Sequence, residues 1–398
     1  MRSKCLCILM FLVASVARTA AADESGNFIV RLGRDTTAVE SFTRSARGVE
    51  VRQVGRAPRV LQRRFFYEMS PDGVMKSLTL TVTNPGDAPG APAMQQIDAT
   101  FAGDSMRMDI KRGGSPNVNT IRMAMPANTV QLTGMSSWTM YEGLSMRLAS
   151  QKADSLRRPG YFIGGDALLW VAVHKLGRDS IVIQTQYDQY HAQVDKAGHL
   201  LHVRPIYGTS QYTVDRVPKL DLAAFTASFG AAEKAAGAMG ALSTRDTINA
   251  TAGGGALWID YGRPSKRGRE IFGAVVPWNA VWRTGANAAT QFKTDRALEM
   301  NGTTVPAGFY TLWSIPTPTG MKLVINSQTG QWGTDHDPAK DVYTIDMQVS
   351  ALPQAVERFT ITVEPNDKGG VLRMDWDTRR ASLPFTTLPL AAAATTNK

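Results

Sequence analysis

The chain reads as all-β: an N-terminal antiparallel meander, forming a curved sheet or half-barrel with one helix, followed by a C-terminal β-sandwich. Three observations predict this. Short segments of alternating apolar and polar residues recur along the whole chain. Pro, Gly, Asn and Asp clusters separate them at turn-like intervals. Helical spacing is confined to residues 137–150 and an Ala-rich stretch after Leu222.

The first element is a leader. Arg2 and Lys4 precede an apolar run from Cys5 to Ala17, and Ala20, Ala21 and Ala22 follow, so residues 1–22 read as a secretory signal peptide cleaved near Ala22. The expected location is periplasmic or secreted. Cys5 and Cys7 both fall in the leader, which leaves the mature chain without a disulfide, a thiolate metal site or a cysteine nucleophile. No later segment is apolar enough to span a membrane. The net charge of +10 includes Arg2, Lys4 and Arg18, and the other cations are interspersed with acids outside residues 263–269, a pattern that argues against nucleic acid as a partner.

A first domain is expected over residues 23–228. "RRFFYEMSPDGVMKSLTLTV" is a hairpin turning at Pro71, Asp72 and Gly73, and "YHAQVDKAGHLLHVRPIYG" repeats it with a turn at Asp195 to Gly198. "NPGDAPGAPA" at 84–93 is a long loop, since neither Pro nor Gly supports a ladder interior. Met106 and Met108 alternate with charged residues, and Met123 and Met125 continue the pattern. An accessible face of this kind would suit a lipid or other apolar ligand; the plainer reading is a core packed under the helix at 137–150. His199 and His202, three apart on one strand, project to opposite faces, so neither a metal nor a cofactor is predicted.

An Ala/Gly-rich linker or helix follows at 229–242, then a sandwich over 243–388 and a disordered tail at 389–398. Its strands include "ALWIDY", "ATQFKTD", "GFYTLWSI", "MKLVINS", "VYTIDMQV", "ERFTITVEP" and "VLRMDWD". Gly-x-Ser-x-Gly, phosphate-loop and dinucleotide motifs are absent from the sequence. Two groups of residues in this region could carry chemistry. "YGRPSKRGRE" brings Arg263, Lys266 and Arg269 beside Glu270, a loop able to hold a carboxylate or phosphate or to tie down its own carbonyls. "GQWGTDHDP" places Asp335 and His336 next to Trp332, as an acid–base pair or as plain turn chemistry. The tryptophans, Trp282 among them, would form a sugar platform if exposed and a core if buried.

"YGRPSKRGREIFG", "VPWNAVWRTGANAATQF", "VPAGFYTLWSIP", "KLVINSQTGQWGT" and "RFTITVE" together closely resemble the DUF2911 family, a bacterial family of unknown function found in exported proteins. The resemblance covers about residues 243–388. It supplies no catalytic or binding role, but it marks Arg263, Lys266, Arg269, Glu270, Trp282, Arg283, Asn287, Trp332 and Thr334 as the positions where a family site would lie. The meander with one helix resembles the half-barrels of periplasmic lipoprotein carriers in architecture alone.

The functional expectation is an exported, non-catalytic binding protein. Its ligand would be a lipid or other apolar molecule on the Met-rich sheet, with the second domain as a binding or assembly module and an envelope glycan as a further partner. The alternative is a hydrolase of cell-envelope material, with Glu270 or Asp335 as acid or base, His336 as partner, and Arg283 with Asn287 polarising the substrate.

Overall fold

A computed structural model describes residues 23–389, apart from 71–74, 89, 133–136 and 166. The leader, the turn at Pro71 to Gly73 and the tail beyond residue 389 therefore lie outside the described residues.

Fifteen strands form the N-terminal sheet: β1 (Glu24–Leu32), β2 (Asp35–Ser45), β3 (Gly48–Gly55), β4 (Leu61–Met69), β5 (Met75–Thr83), β6 (Gln95–Ala102), β7 (Ser105–Arg112), β8 (Val118–Ala124), β9 (Val130–Leu132), β10 (Ser155–Phe162), β11 (Leu168–Lys175), β12 (Ser180–Thr185), β13 (Asp188–Val194), β14 (Leu200–Gly208) and β15 (Tyr212–Arg216). From one edge to the other the order is β8, β7, β6, β5, β4, β3, β2, β1, β15, β14, β13, β12, β11, β10, β9. Two meanders thus meet where β1 pairs with β15, Val30 opposite Val214. All pairings are antiparallel except the short one between β9 and β10. Alternation does the sorting along each strand: Phe28, Val30 and Leu32 of β1 are buried, and the residues between them are not.

The buried face wraps helix α1 (Thr139–Ala149), whose Tyr141, Leu144 and Leu148 enter one core with Phe28, Phe42, Phe65, Met106 and Met108. Two buried carboxylates fasten the helix. Glu40 of β2 accepts hydrogen bonds from the Trp138 and Thr139 amides at 2.8 and 3.0 Å, satisfying donors that a helix start leaves open. Glu142, fully buried, accepts from Arg44 at 2.8 Å, Arg216 at 2.5 Å and the Leu200 amide at 2.8 Å. A buried carboxylate is tolerated only with such partners.

Helix α2 (Leu222–Ala236) starts at Asp221, whose side chain accepts from the Ala224 amide, and sets Phe225 and Phe229 against Val39 and Val54 on the outside of the sheet. Among the described residues no helix is long and apolar enough to cross a membrane.

The second sheet holds β16 (Ser243–Ala252), β17 (Gly255–Pro264), β18 (Thr290–Thr294), β19 (Leu298–Met300), β20 (Thr303–Val305), β21 (Gly308–Pro316), β22 (Met321–Asn326), β23 (Asp341–Asn366) and β24 (Gly369–Thr387). Its order is β16, β17, β18, β21, β22, β23, β24, β19, β20. The two segments expected as separate strands, "VYTIDMQV" and "ERFTITVEP", are one strand, β23. Its ladder with β24 shifts register on either side of Val356, close to Pro353, which cannot donate to a ladder. One continuous sheet therefore supplies both faces of the sandwich: Ile259, Tyr261 and Phe292 share a core with Phe359, Met374 and Trp376.

The two sheets touch through the first hairpin. Arg34 donates its amide to the Arg267 carbonyl at 2.9 Å, and the Arg267 guanidinium pairs with Asp35 at 2.7 Å. Gly33, at φ +61°, has no alternative there, because a β-carbon would lie 2.3 Å from the Arg267 carbonyl oxygen. A second contact joins the rings of Tyr187 and Trp332, 5.6 Å apart.

Candidate functional site

Between the sheets lies a cleft of about 420 Å³. Thr209, Ser210 and Tyr212 line it from the N-terminal side, and Arg269, Trp282, Arg283, Asn287 and Trp376 from the C-terminal side. The segment between β17 and β18 supplies most of these, and its shape explains the family-like glycines. Trp282 and Ser314 exchange backbone hydrogen bonds at 2.8 and 2.9 Å, and the buried Thr284, at φ +52°, donates its hydroxyl to Ser314 or accepts from it at 3.0 Å. Arg283, held between them, extends over Gly333, where a β-carbon would sit 2.0 Å from its Cδ. Gly262 faces the Ala286 carbonyl equally closely, at 2.1 Å from a hypothetical β-carbon.

Arg283 is the unusual group. Its Nε is out of contact with solvent and has no hydrogen-bond partner, and no carboxylate lies within ion-pair distance of it among the described residues. Burial depresses its pKa to about 10, opposed by the charges of Tyr207 and Asp188. Arg269 is similar: it donates to the Lys266 and Ser265 carbonyls at 3.1 and 2.6 Å, forms no ion pair among the described residues, and is pushed down to about 10 by burial and by Arg267. Asp188 lies behind the cleft wall and accepts from the Ser210 amide at 2.7 Å; burial raises its pKa despite that bond. Tyr212, also beside Asp188, is raised to about 12, mainly by burial.

The other expected site residues are elsewhere. Arg263 donates to the Phe359 carbonyl, Asp246 and Thr360, and Lys266 pairs with Asp377, so both cations are structural. Trp332 is half-buried against Tyr187, its Nε1 unpaired, and Thr334 is half-buried beside the exposed Asp335. His336 packs on Trp313 at 4.7 Å and pairs with Asp341 at 2.9 Å, away from the cleft lining. Glu270 borders a different cavity. Of the five catalytic candidates, only Arg283 and Asn287 reach the cleft.

The apolar-ligand face needs correction. Met106, Met108 and Met125 are 2 %, 0 % and 3 % exposed and Met123 packs against the same core, because the sheet curves around α1 and covers its own Met-rich face. Residues 209–212, Asp188, Tyr187 and Trp376 belong to the cleft or its support without any sequence signal; the strand end at Asp188 reads as ordinary turn chemistry.

Chemically, the cleft offers two guanidinium groups without anionic partners, the amide of Asn287 and an aromatic wall, in which Trp282 and Trp376 stack at 5.7 Å. Such a set binds an oxyanion bidentately. Among the described residues its lining holds no Asp, Glu or His.

Residues 243–385 match the model of DUF2911, described as a protein of unknown function, as the motifs of that part of the sequence lead one to expect. The N-terminal region matches no family model. No curated protein matches the chain. Two solved structures are similar to part of the chain. One is a β-barrel-like protein of the domain of unknown function DUF1849 from Brucella abortus, 12% identical over 49% of this chain and 95% of that one, with a TM-score of 0.32. The other is a DUF1089 family protein from Pseudomonas aeruginosa, 9% identical over the same shares, with a TM-score of 0.25.

Proposed function

We propose that this is an exported, non-catalytic binding protein that holds a small molecule by its carboxylate or phosphate group in the cleft between the two sheets. One observation carries the reading: Arg283 and Arg269 line the same cleft, and neither has an ion-pair partner among the described residues. Guanidinium groups taken out of water are ordinarily paired. An anionic ligand supplies the missing charge. Export enters the proposal through the leader-like pattern of residues 1–22.

The hydrolase alternative requires Glu270 or Asp335, together with His336, to meet Arg283 and Asn287. Glu270, Asp335 and His336 lie outside the cleft lining, and His336 is paired with Asp341, so no observation favours that reading.

The test is thermal denaturation and calorimetric titration of the mature chain with inorganic phosphate and with citrate, at constant ionic strength. Saturable stabilisation by either, lost in Arg283→Met and reduced in Arg269→Met, is the expected result. If neither anion stabilises the protein beyond a chloride control, the binding reading fails.

A further inference from the structure

Away from the cleft, the chain from Glu270 to Trp278 builds a second pocket. Gly273, at φ +97°, turns this stretch back on itself, with its amide on the Val276 carbonyl at 2.8 Å and the Val276 amide on the Ile271 carbonyl at 2.8 Å. The turn stacks Phe272 on Trp278, with centroids 5.8 Å apart and planes 21° from parallel. A β-carbon at Gly273 would lie 2.6 Å from the indole Nε1, so glycine is what allows the indole to lie flat over the turn.

Arg379 braces the pair. Its guanidinium carbon is 5.5 Å from the Phe272 centroid and 5.2 Å from that of Trp278, while its terminal nitrogens donate to the carbonyls of Thr317, Gly320 and Pro318 at 2.7, 2.8 and 3.2 Å. The cation is thereby committed to the turn after β21. What remains is a cavity of about 370 Å³ with an aromatic wall and a polar rim of Glu270, Ser350, Asp377 and Thr378. The Glu270 carboxylate is exposed and has neither a hydrogen bond nor an ion pair among the described residues, although Lys266, Arg267 and Arg269 are within four positions of it in sequence.

We infer that this pocket binds a neutral saccharide. A sugar ring presents an apolar C–H face and a rim of hydroxyl donors. The Phe272 and Trp278 rings cover the first, and the Glu270 carboxylate accepts from the second in a charge-assisted hydrogen bond. The unpaired Glu270 carboxylate repels acidic sugars, which selects for an uncharged ring, while Asp377 is neutralised by Lys266. A volume of about 370 Å³ lies within the range of small-ligand sites. None of Glu270, Phe272, Trp278, Asp377 and Arg379 lines the cleft between the sheets, so saccharide binding here is independent of anion binding there.

Tryptophan fluorescence and calorimetric titration of the full mature chain decide it. The probes are cellobiose and N,N′-diacetylchitobiose, with glucuronic acid as the acidic comparison. Saturable binding of at least one neutral disaccharide is expected, at least tenfold tighter than glucuronic acid. Glu270→Gln, an exposed substitution that leaves folding intact, and Trp278→Ala should each weaken it at least tenfold. Absence of saturable binding for both disaccharides at up to about 10 mM, the weak end of specific recognition, overturns the proposal. So does binding that Glu270→Gln leaves unchanged.

Discussion

Arg283 crosses Gly333 at such short range that a β-carbon at residue 333 would lie 2.0 Å from its Cδ and 2.3 Å from the Asn287 carbonyl oxygen. The second contact is with backbone, so swinging the arginine aside does not relieve it. Gly333→Ala should therefore cost about 1–3 kcal/mol, as overpacking does, and also displace both cleft residues. Denaturant unfolding checks the first effect, and loss of the anion response in titration checks the second.

Removing the charge of Arg283 should act in the opposite direction on stability. Its Nε is buried without a partner, so Arg283→Met exchanges a desolvated polar group for an apolar side chain of similar length. A gain of about 1 kcal/mol in the ligand-free protein is expected, the usual trade between a functional site and stability. A lower melting temperature in this variant would mean that the guanidinium holds structure.

The pair between Arg267 and Asp35 ties the two sheets, with side chains 12% and 27% exposed. Its strength should fall between surface and buried pairs, about 1–3 kcal/mol. Arg267→Ala should loosen the junction and separate the calorimetric unfolding of the two sheets into resolved transitions. A double-mutant cycle with Asp35→Asn measures the coupling.

Burial raises the pKa of Glu40 above the ordinary glutamate value, the hydrogen bonds from residues 138 and 139 opposing it. In the folded chain this carboxyl then keeps its proton to higher pH than in the unfolded chain. Its contribution is complete below about pH 4.3, the unfolded value, and is lost as pH rises towards the folded value, by up to about 1.4 kcal/mol per pH unit. Glu40→Gln should abolish that slope. Unfolding free energies from pH 4 to 8, measured on both proteins, are the check, and parallel curves would contradict it.

Met108 is fully buried between strands and helix. Met108→Asp places an unpaired carboxylate there and should destabilise the chain by about 4 kcal/mol or more, visible as loss of the folded circular-dichroism signal.

Period-two alternation and turn residues sufficed to read an all-β chain and α1, because each depends on neighbours a few positions apart; β16, in an Ala- and Gly-rich stretch, was not read as a strand. The turn at Asp195 to Gly198 and the strands around it are such local features. The closing of the sheet over its own methionines was not legible, since alternation shows that a face is covered and not what covers it. The fusion of two expected strands into β23 was equally hidden, because a bulge preserves the alternation on either side.

The sequence by itself determined an all-β chain, the family-like motifs of its C-terminal part and a loop with four cations, Arg263, Lys266, Arg267 and Arg269. Within that loop the four are equivalent as text. Only the tertiary structure decided that Arg263 meets Asp246, Lys266 meets Asp377 and Arg267 meets Asp35, partners 17, 111 and 232 positions away. Arg269, with Arg283 from farther along the chain, is left facing the cleft without one. Ion pairing falls off with distance through space, and a fold alone sets those distances.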